Sequence, residues 1–214
     1  MTRSPHRKVE GIDHRISPKE IKHCGWKAIF RDDENAQESL VVEIGFGRGE
    51  FLVDLARRNS NKAHIGIDLS WKRVAKMARR LASCPVRNLR LIEGNAKEVV
   101  EYMLDDGSVE TFWINFPDPW PKRRHSRRRL IKRDFLDVLV TKLIPEGTLE
   151  VATDHPAYAK WINARLQGTQ GLQNLFKPDP YLSNVPGRPL TAYEEIWRSK
   201  GRTPYFWRYK KVSL

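Results

Sequence analysis

The sequence has few cysteines and no long apolar run. Its two cysteines, Cys24 and Cys84, lie far apart and match neither a disulfide framework nor the spacing of a zinc site. No apolar run approaches the roughly 20 residues that a membrane span requires. The charged N-terminus also lacks the apolar segment of a secretory signal. We therefore expect a protein of the reducing cytoplasm, without a membrane partner and without a bound metal.

Acidic residues are also scarce relative to basic ones. The 214 residues include 39 Lys and Arg against 26 Asp and Glu, which gives a formal net charge of +13 and a pI near 9.9. Such an excess repels itself and favours a polyanionic partner. Nucleic acid is favoured, because phosphate binding draws on Lys and Arg. A membrane surface is disfavoured, because we find no basic amphipathic helix with a strong apolar face and no lipidation motif.

The pattern of apolar residues predicts one domain after a basic arm. Residues 1–38 are polar and interrupted by proline and glycine, so we interpret them as an arm with short helical pieces that is partly disordered. In the predicted domain, 39–214, short apolar runs alternate with amphipathic stretches. They predict strands at 40–46, 63–70, 88–94, 109–116, 147–154 and 203–211, and helices at 50–59, 71–84, 96–104, 133–144, 156–167 and 192–199. This alternation is typical of a Rossmann-like α/β fold, a mostly parallel sheet with helices on both faces.

A glycine-rich turn, EIGFGRGEF at 43–51, joins the first predicted strand to its helix. Gly45, Gly47 and Gly49 leave the backbone uncrowded, so a ligand can approach the amides and the positive end of the helix. Glu50 stands where the dinucleotide fingerprint has its third glycine, and its charge would repel a pyrophosphate. The alternative is that the glycines serve only the steric needs of a tight turn.

Polar residues at three strands suggest what this turn binds. Asp68 ends the second strand, where an acid can bind both ribose hydroxyls of an adenosine; alternatively it caps the helix that starts at Trp71. Glu43 lies in an apolar strand, so its carboxylate needs hydrogen bonds or a cation. Asn95 follows the third strand and either binds an adenine edge or caps a helix. S-adenosylmethionine, with its ammonium and sulfonium charges, suits this set.

The stretch FPDPWPKRRHSRRR at 116–129 joins a rigid aromatic half to a cationic half. Pro117 and Pro119 restrict the backbone on either side of Asp118. With its aromatic neighbours this loop resembles a pocket for a planar base; alternatively Asp118 bonds only to nearby backbone. Eight of the twelve residues at 122–133 are Lys or Arg. We expect them to bind a phosphate backbone, although a solvated loop is the other interpretation.

Five segments together resemble the tRNA (guanine-N7-)-methyltransferase family, from about residue 38 to the end of the chain. They are EIGFGRGEF, IGID, NFPDPWPKRRHSRRR, TDH at 153–155 and TAYE at 191–194. The resemblance implies a class I methyltransferase fold with an antiparallel C-terminal strand. It also implies S-adenosylmethionine as methyl donor, S-adenosylhomocysteine as product and a variable-loop guanosine of tRNA as substrate. It does not distinguish a monomer from a homodimer.

The resemblance also implies roles for individual residues. With the glycine turn, the expected donor contacts are Glu43, Gly45, Gly47, Gly49, Asp68, Asn95 and Asp118. Asp118 would be the catalytic acid, with substrate contacts at Lys122, Asp154, Thr191, Ala192, Tyr193 and Glu194. The expected RNA contacts are Arg124, His125, Ser126, Arg127, Arg128 and Arg129. Asp68 stands where the family more often has Glu, and Asn95 where it often has Asp, but both keep their hydrogen-bonding capacity.

Several alternatives stay open on the sequence alone. Guanine N7 carries a free lone pair, so no general base is needed; Asp118 would stabilise the cationic product ring or accept hydrogen bonds from the guanine, as Asp154 also can. Thr191 and Glu194 match a helix capping box. Methylation of another RNA base is a second function, although Asp118-Pro119-Trp120 lacks the doubled proline of exocyclic-amine methyltransferases. A non-catalytic RNA-binding protein is a third, and it would not need the donor pocket.

Overall fold

Short aliphatic and β-branched runs form one eight-stranded sheet in the computed structural model, which describes residues 12–33 and 38–213. The strands are β1 (Arg15–Ile16), β2 (Leu40–Ile44), β3 (Ala63–Asp68), β4 (Leu89–Glu93), β5 (Val109–Asn115), β6 (Leu143–Thr153), β7 (Leu172–Asn174) and β8 (Tyr205–Lys211). The helices are α1 (Pro18–Ile29), α2 (Glu50–Arg58), α3 (Trp71–Ser83), α4 (Ala96–Met103), α5 (Arg133–Lys142), α6 (Pro156–Gln167) and α7 (Ala192–Arg198). A 3₁₀ helix covers Arg123–Arg128.

The strand order is β1-β4-β3-β2-β5-β6-β8-β7. The pairs from β1 to β6 are parallel, and β8 runs antiparallel to both β6 and β7. The predicted mostly parallel sheet and its antiparallel C-terminal strand are therefore confirmed. The prediction omitted β1, β7 and the 3₁₀ helix, because strands of two and three residues are too short to show a periodic pattern.

Helices cover both faces of the sheet, as predicted. Phe30, at the end of α1, and Tyr158 of α6 belong to one large apolar cluster that also includes residues of α4 and α5. Leu52 of α2 and Met77 of α3 belong to a separate cluster. Because both faces are covered, the central strand β2 is buried along its whole length and reads as a continuous apolar run apart from Glu43.

The described part of the predicted arm, residues 12–33, packs on the sheet. Arg15 pairs in parallel register with Leu91 of β4. Ser17 and Glu20 form a reciprocal capping box that starts α1, and Trp26 is buried in the core. The helical piece expected in the arm is therefore present, and the partial disorder stays a prediction. Residues 1–11 and 34–37 lie outside the described part, and the domain division at residue 38 stays a prediction.

The topology creates a crevice at the carboxyl end of β2. The chain runs from β2 outward through β3 and β4, then returns to the other side of β2 with β5 and β6. The segments that follow β2 and β5 therefore leave the sheet in opposite directions. In open parallel sheets, ligands bind outside the strand ends at such a switch point. The glycine turn and the Pro-Asp-Pro loop both lie at this edge.

Candidate active site

The glycine turn between β2 and α2 is open. The φ angles of Gly45, Gly47 and Gly49 are +77°, +58° and +79°, a region that L side chains rarely adopt. A Cβ atom at Gly45 would meet nothing within 4 Å, whereas one at Gly49 would lie 2.6 Å from Sδ of Met77. Gly49 therefore also allows α3 to pack closely. At Gly45 and Gly47 the space beside the backbone can admit a ligand.

Asp68 joins the end of β3 to the glycine turn. Its Oδ2 atom accepts a hydrogen bond from the Gly47 amide at 3.1 Å, and its Oδ1 accepts one from the Ser70 amide at 2.8 Å. Arg73 approaches Oδ2 at 3.5 Å. Ser70, and not Asp68, occupies the N-cap position of α3, so the capping alternative for Asp68 is wrong. Each carboxylate oxygen keeps a lone pair that a ligand hydroxyl can use.

Asn95 caps α4, as its alternative interpretation predicted. Its Oδ1 atom accepts a hydrogen bond from the Lys97 amide at 3.0 Å. This bond uses only the side-chain oxygen, so the Nδ2 group stays a donor that the cap does not occupy. The predicted contact with the methyl donor is compatible with the cap and stays a prediction.

Glu43 is a buried carboxylate with one oxygen left to bind a ligand. It is 2% exposed, and its Oε1 accepts a hydrogen bond from Nδ2 of Asn115 at 3.0 Å, which confirms the expected hydrogen bonding. Within the described residues its Oε2 has no hydrogen-bond partner. Burial raises the pKa of Glu43 to about 7, against the lowering effects of Asn115 and Arg188, and Asp68 raises it further. A cationic ligand would stabilise the ionised form.

The loop that carries Asp118 has a constrained backbone. Phe116 and Trp120, on either side of it, have φ angles of +50° and +43°, which are uncommon for bulky residues and cluster at functional sites. Asp118 itself is exposed. Within the described residues its side chain makes no hydrogen bond to the nearby backbone, so the structural alternative for this acid is not observed.

Arg129 is largely buried. It is 9% exposed, and its guanidinium donates to the carbonyl oxygens of Pro119 at 2.9 Å and Trp120 at 3.3 Å. The same group lies 5.3 and 4.8 Å from the ring centres of Tyr158 and Trp161 on α6. These contacts hold the Asp118 loop onto α6. The RNA contact expected of Arg129 stays a prediction.

The other predicted RNA contacts lie at the surface of the 3₁₀ helix. Arg124, Arg127 and Arg128 are exposed, whereas His125 and Ser126 are half-buried. Lys122, which was predicted as a substrate contact, precedes this helix and is also exposed. Arg128 lies 5.0 Å from the ring centre of Trp120, and His125 packs edge-on to the same ring. The cationic surface is therefore attached directly to the loop of Asp118.

Asp154 and Tyr193 come together beside this loop. The Tyr193 hydroxyl donates to Oδ2 of Asp154 at 3.5 Å, and Arg202 donates to the same oxygen at 2.7 Å. The Tyr193 ring lies 5.0 Å from that of Phe116. Partial burial raises the pKa of Tyr193, and the carboxylates of Asp154 and Asp118 raise it further. Asp154 and Asp118, both predicted site residues, thus both raise the pKa of the Tyr193 hydroxyl at this edge of the sheet.

The capping box predicted for TAYE is half formed. Oγ1 of Thr191 accepts a hydrogen bond from the Glu194 amide at 2.9 Å and caps α7, and Ala192 is half-buried in its first turn. The Glu194 carboxylate does not return to the cap. It is 2% exposed and accepts from Arg188 at 2.7 Å and from Arg198 at 2.8 Å. Charge-assisted bonds outweigh one backbone amide here.

Arg188 is a buried residue that the sequence did not single out. Its side chain is 4% exposed and donates to Oδ1 of Asn115 at 2.6 Å as well as to Glu194. Its guanidinium lies 4.4 Å from the ring centre of Phe206. An arginine in a proline-rich stretch without periodicity normally indicates an exposed loop, so no local signal marked it.

Across residues 12–33 and 38–213, no helix has both the length and the apolar character needed to cross a bilayer. In the same described ranges, no group of three or more His, Cys, Asp or Glu side chains is arranged to hold a metal ion.

The chain is similar to known methyltransferases. Residues 37–207 match a family described as a putative methyltransferase. The chain is 35% identical to a tRNA (guanine-N(7)-)-methyltransferase of Thermotoga maritima over 187 residues, which cover 87% of this chain but only 57% of that protein's length. The enzyme of the same name from Buchnera aphidicola is 34% identical, with 83% and 74% covered. That from Geobacter metallireducens is 32% identical, with 92% of both chains covered.

Solved structures share the fold. The 16S rRNA methyltransferase KamB superposes with a TM-score of 0.61 at 16% identity, covering 87% of this chain and 94% of KamB. The aminoglycoside resistance methyltransferase NpmB1 gives a TM-score of 0.54 at 18% identity, with 87% and 93% covered. The class I methyltransferase fold expected from the sequence is therefore confirmed.

Proposed function

The chain belongs to the tRNA (guanine-N(7)-)-methyltransferase family, and from that membership we propose its reaction. It transfers a methyl group from S-adenosylmethionine to N7 of a guanosine in the variable loop of tRNA, and S-adenosylhomocysteine is released. The main support is geometric: the open glycine turn with Asp68 lies at the same sheet edge as the loop of Asp118. We further propose that the enzyme works in the cytoplasm, as a monomer or a homodimer.

The residues present fit the methyl donor. The buried, unpartnered Oε2 of Glu43 suits a ligand ammonium. Asp68 can accept hydrogen bonds from ribose hydroxyls, and Nδ2 of Asn95 can donate to an adenine nitrogen. The uncrowded backbone at Gly45 and Gly47 allows close approach. When bound, the donor supplies an electrophilic methyl group on a sulfonium centre.

The protein's task is then alignment and charge stabilisation. Guanine N7 has a lone pair, so no residue has to remove a proton before transfer. Asp118 stabilises the positive charge that develops on the purine, and the constrained loop keeps it in place. Phe116 and Tyr193 offer aromatic faces for the base. Asp154, which Arg202 holds, would accept hydrogen bonds from the guanine N1–H and amino groups.

The function is tested by incubating unmodified tRNA with the protein and radiolabelled S-adenosylmethionine. Cleavage of the product at 7-methylguanosine should release fragments that end in the variable loop. Label found on another base would support the second function. Calorimetry without heat of donor binding, together with RNA binding and no incorporated label, would support the non-catalytic binder.

The exposed cations of the 3₁₀ helix give a prediction about RNA affinity. In Arg124→Gln/Arg127→Gln/Arg128→Gln, we expect the KM for tRNA to rise about tenfold, because phosphate contacts are lost. The slope of the logarithm of the tRNA association constant against the logarithm of the salt concentration should become shallower by roughly 2. The kcat should change less than about threefold. Filter binding at several salt concentrations measures the slope.

A matched control for this variant removes three exposed lysines of α1, Lys19, Lys22 and Lys27. It changes the net charge equally but leaves the segment beside Asp118 intact, so the salt slope should stay close to that of the wild type. Equal losses in both variants would mean that only total charge matters.

A further inference from the structure

A continuous path of partly buried hydrogen bonds joins β2 to α7. Glu43 accepts from Asn115 at 3.0 Å, and Asn115 in turn accepts from Arg188 at 2.6 Å. Arg188 donates to Glu194 at 2.7 Å, which also accepts from Arg198 at 2.8 Å. The path therefore begins at a predicted donor contact and ends in the predicted substrate segment.

Each group in this path is oriented by the next. The Asn115 amide donates through Nδ2 to Glu43 and accepts through Oδ1 from Arg188, so rotating it by half a turn would break both bonds. The Arg188 guanidinium is also held by the carbonyl oxygen of Pro189 at 3.2 Å and by the ring of Phe206. Buried polar groups of this kind cannot give up one partner cheaply.

We propose that Arg188 is a positioning residue that couples the donor site to the segment at 191–194, so that donor and tRNA bind cooperatively. This inference rests on the proposed function. A donor ammonium at Oε2 of Glu43 fixes the carboxylate, and through Asn115 it fixes the guanidinium. Arg188 then holds Glu194, which anchors the first turn of α7 and with it Tyr193 beside Asp118.

The charges along the path agree with this role. Arg188 lowers the pKa of Glu43, as does the hydrogen bond from Asn115, whereas Asp68 and burial raise it. Without the guanidinium, we expect the Glu43 pKa to rise further. A protonated Glu43 binds an ammonium poorly. The pH below which donor binding weakens should therefore be higher without Arg188.

The test measures binding of S-adenosylhomocysteine, which cannot react, by calorimetry with and without unmodified tRNA. For the wild type we expect the Kd to fall roughly fivefold when tRNA is present, a typical size of coupling between two sites. In Arg188→Gln the decrease in Kd caused by tRNA should be less than about twofold, and the pH below which binding weakens should be higher. Arg188→Lys keeps the positive charge, so the pH at which binding weakens should stay near its wild-type value. It should lose the coupling, because one ammonium does not reproduce the paired hydrogen bonds of the guanidinium.

Arg198→Gln is the matched control. Arg198 binds the same Glu194 carboxylate but is more exposed. Within the part of the chain that the structure describes it makes no hydrogen bond to Asn115, so this variant should keep the coupling. No coupling in the wild type, or full coupling in Arg188→Gln, would overturn the inference. If Arg188→Gln does not fold, Asn115→Ala interrupts the same path and is measured instead. Absence of 7-methylguanosine with the wild type would refute the proposed function. The pH dependence of S-adenosylhomocysteine binding would still test whether Arg188 acts on Glu43.

Discussion

Asp118→Asn is expected to lower the single-turnover rate of tRNA methylation about a hundredfold at saturating tRNA and donor. Loss of one charge-stabilising group in an active site typically has an effect of this order. The substitution keeps the shape of the side chain and the proline-restricted loop, so it removes the charge and little else. The Kd for tRNA should change less than about threefold, because Arg129 still holds the loop carbonyls.

The chain contains a matched control for this variant. Asp179 is also exposed and also lies between two prolines, Pro178 and Pro180, but it belongs to the C-terminal irregular region. Asp179→Asn should leave the single-turnover rate unchanged. A rate for Asp118→Asn within about threefold of the wild type would remove Asp118 from the mechanism.

Glu43→Gln is expected to weaken donor binding while stabilising the free protein at alkaline pH. Burial raises the Glu43 pKa from 4.5 to about 7. Below pH 4.5 the carboxyl is protonated in both states, and folding carries no ionisation cost. Between the two values the folded state binds more protons, so stability falls as pH rises. Above pH 7 the buried carboxylate is ionised, and this lowers the free energy of unfolding by on the order of 3 kcal/mol for a shift of this size.

The variant should therefore unfold like the wild type near pH 5 and have a higher free energy of unfolding at pH 8, by roughly 2–3 kcal/mol. Urea unfolding at both pH values without ligand measures this difference. S-adenosylhomocysteine should bind at least about tenfold more weakly, because a neutral amide does not balance an ammonium. As a control, Glu195→Gln changes an exposed glutamate on α7 and should show neither effect. Tight binding by Glu43→Gln would refute its role at the donor site.

Much of the fold was predictable because its signals are local. Strand and helix positions followed from apolar periodicity, which depends on neighbours a few residues apart. The short strands β1 and β7 were missed, since each acquires its place only by pairing with a strand far away in sequence. Within the candidate site, Thr191 was predictable as a cap because its partner lies three residues away.

The sequence by itself determined the order of strands and helices, the glycine turn and the restricted backbone around Asp118, all of which depend on short-range geometry. Only the tertiary structure decided the partners of the buried charges. Arg129 turned from the cationic surface to the loop carbonyls and two aromatic rings, and Arg188 met Asn115 from a distant part of the chain. The reason is physical: a charged side chain in a polar stretch is exposed by default, and it is buried only where the fold brings enough acceptors and aromatic surface around it.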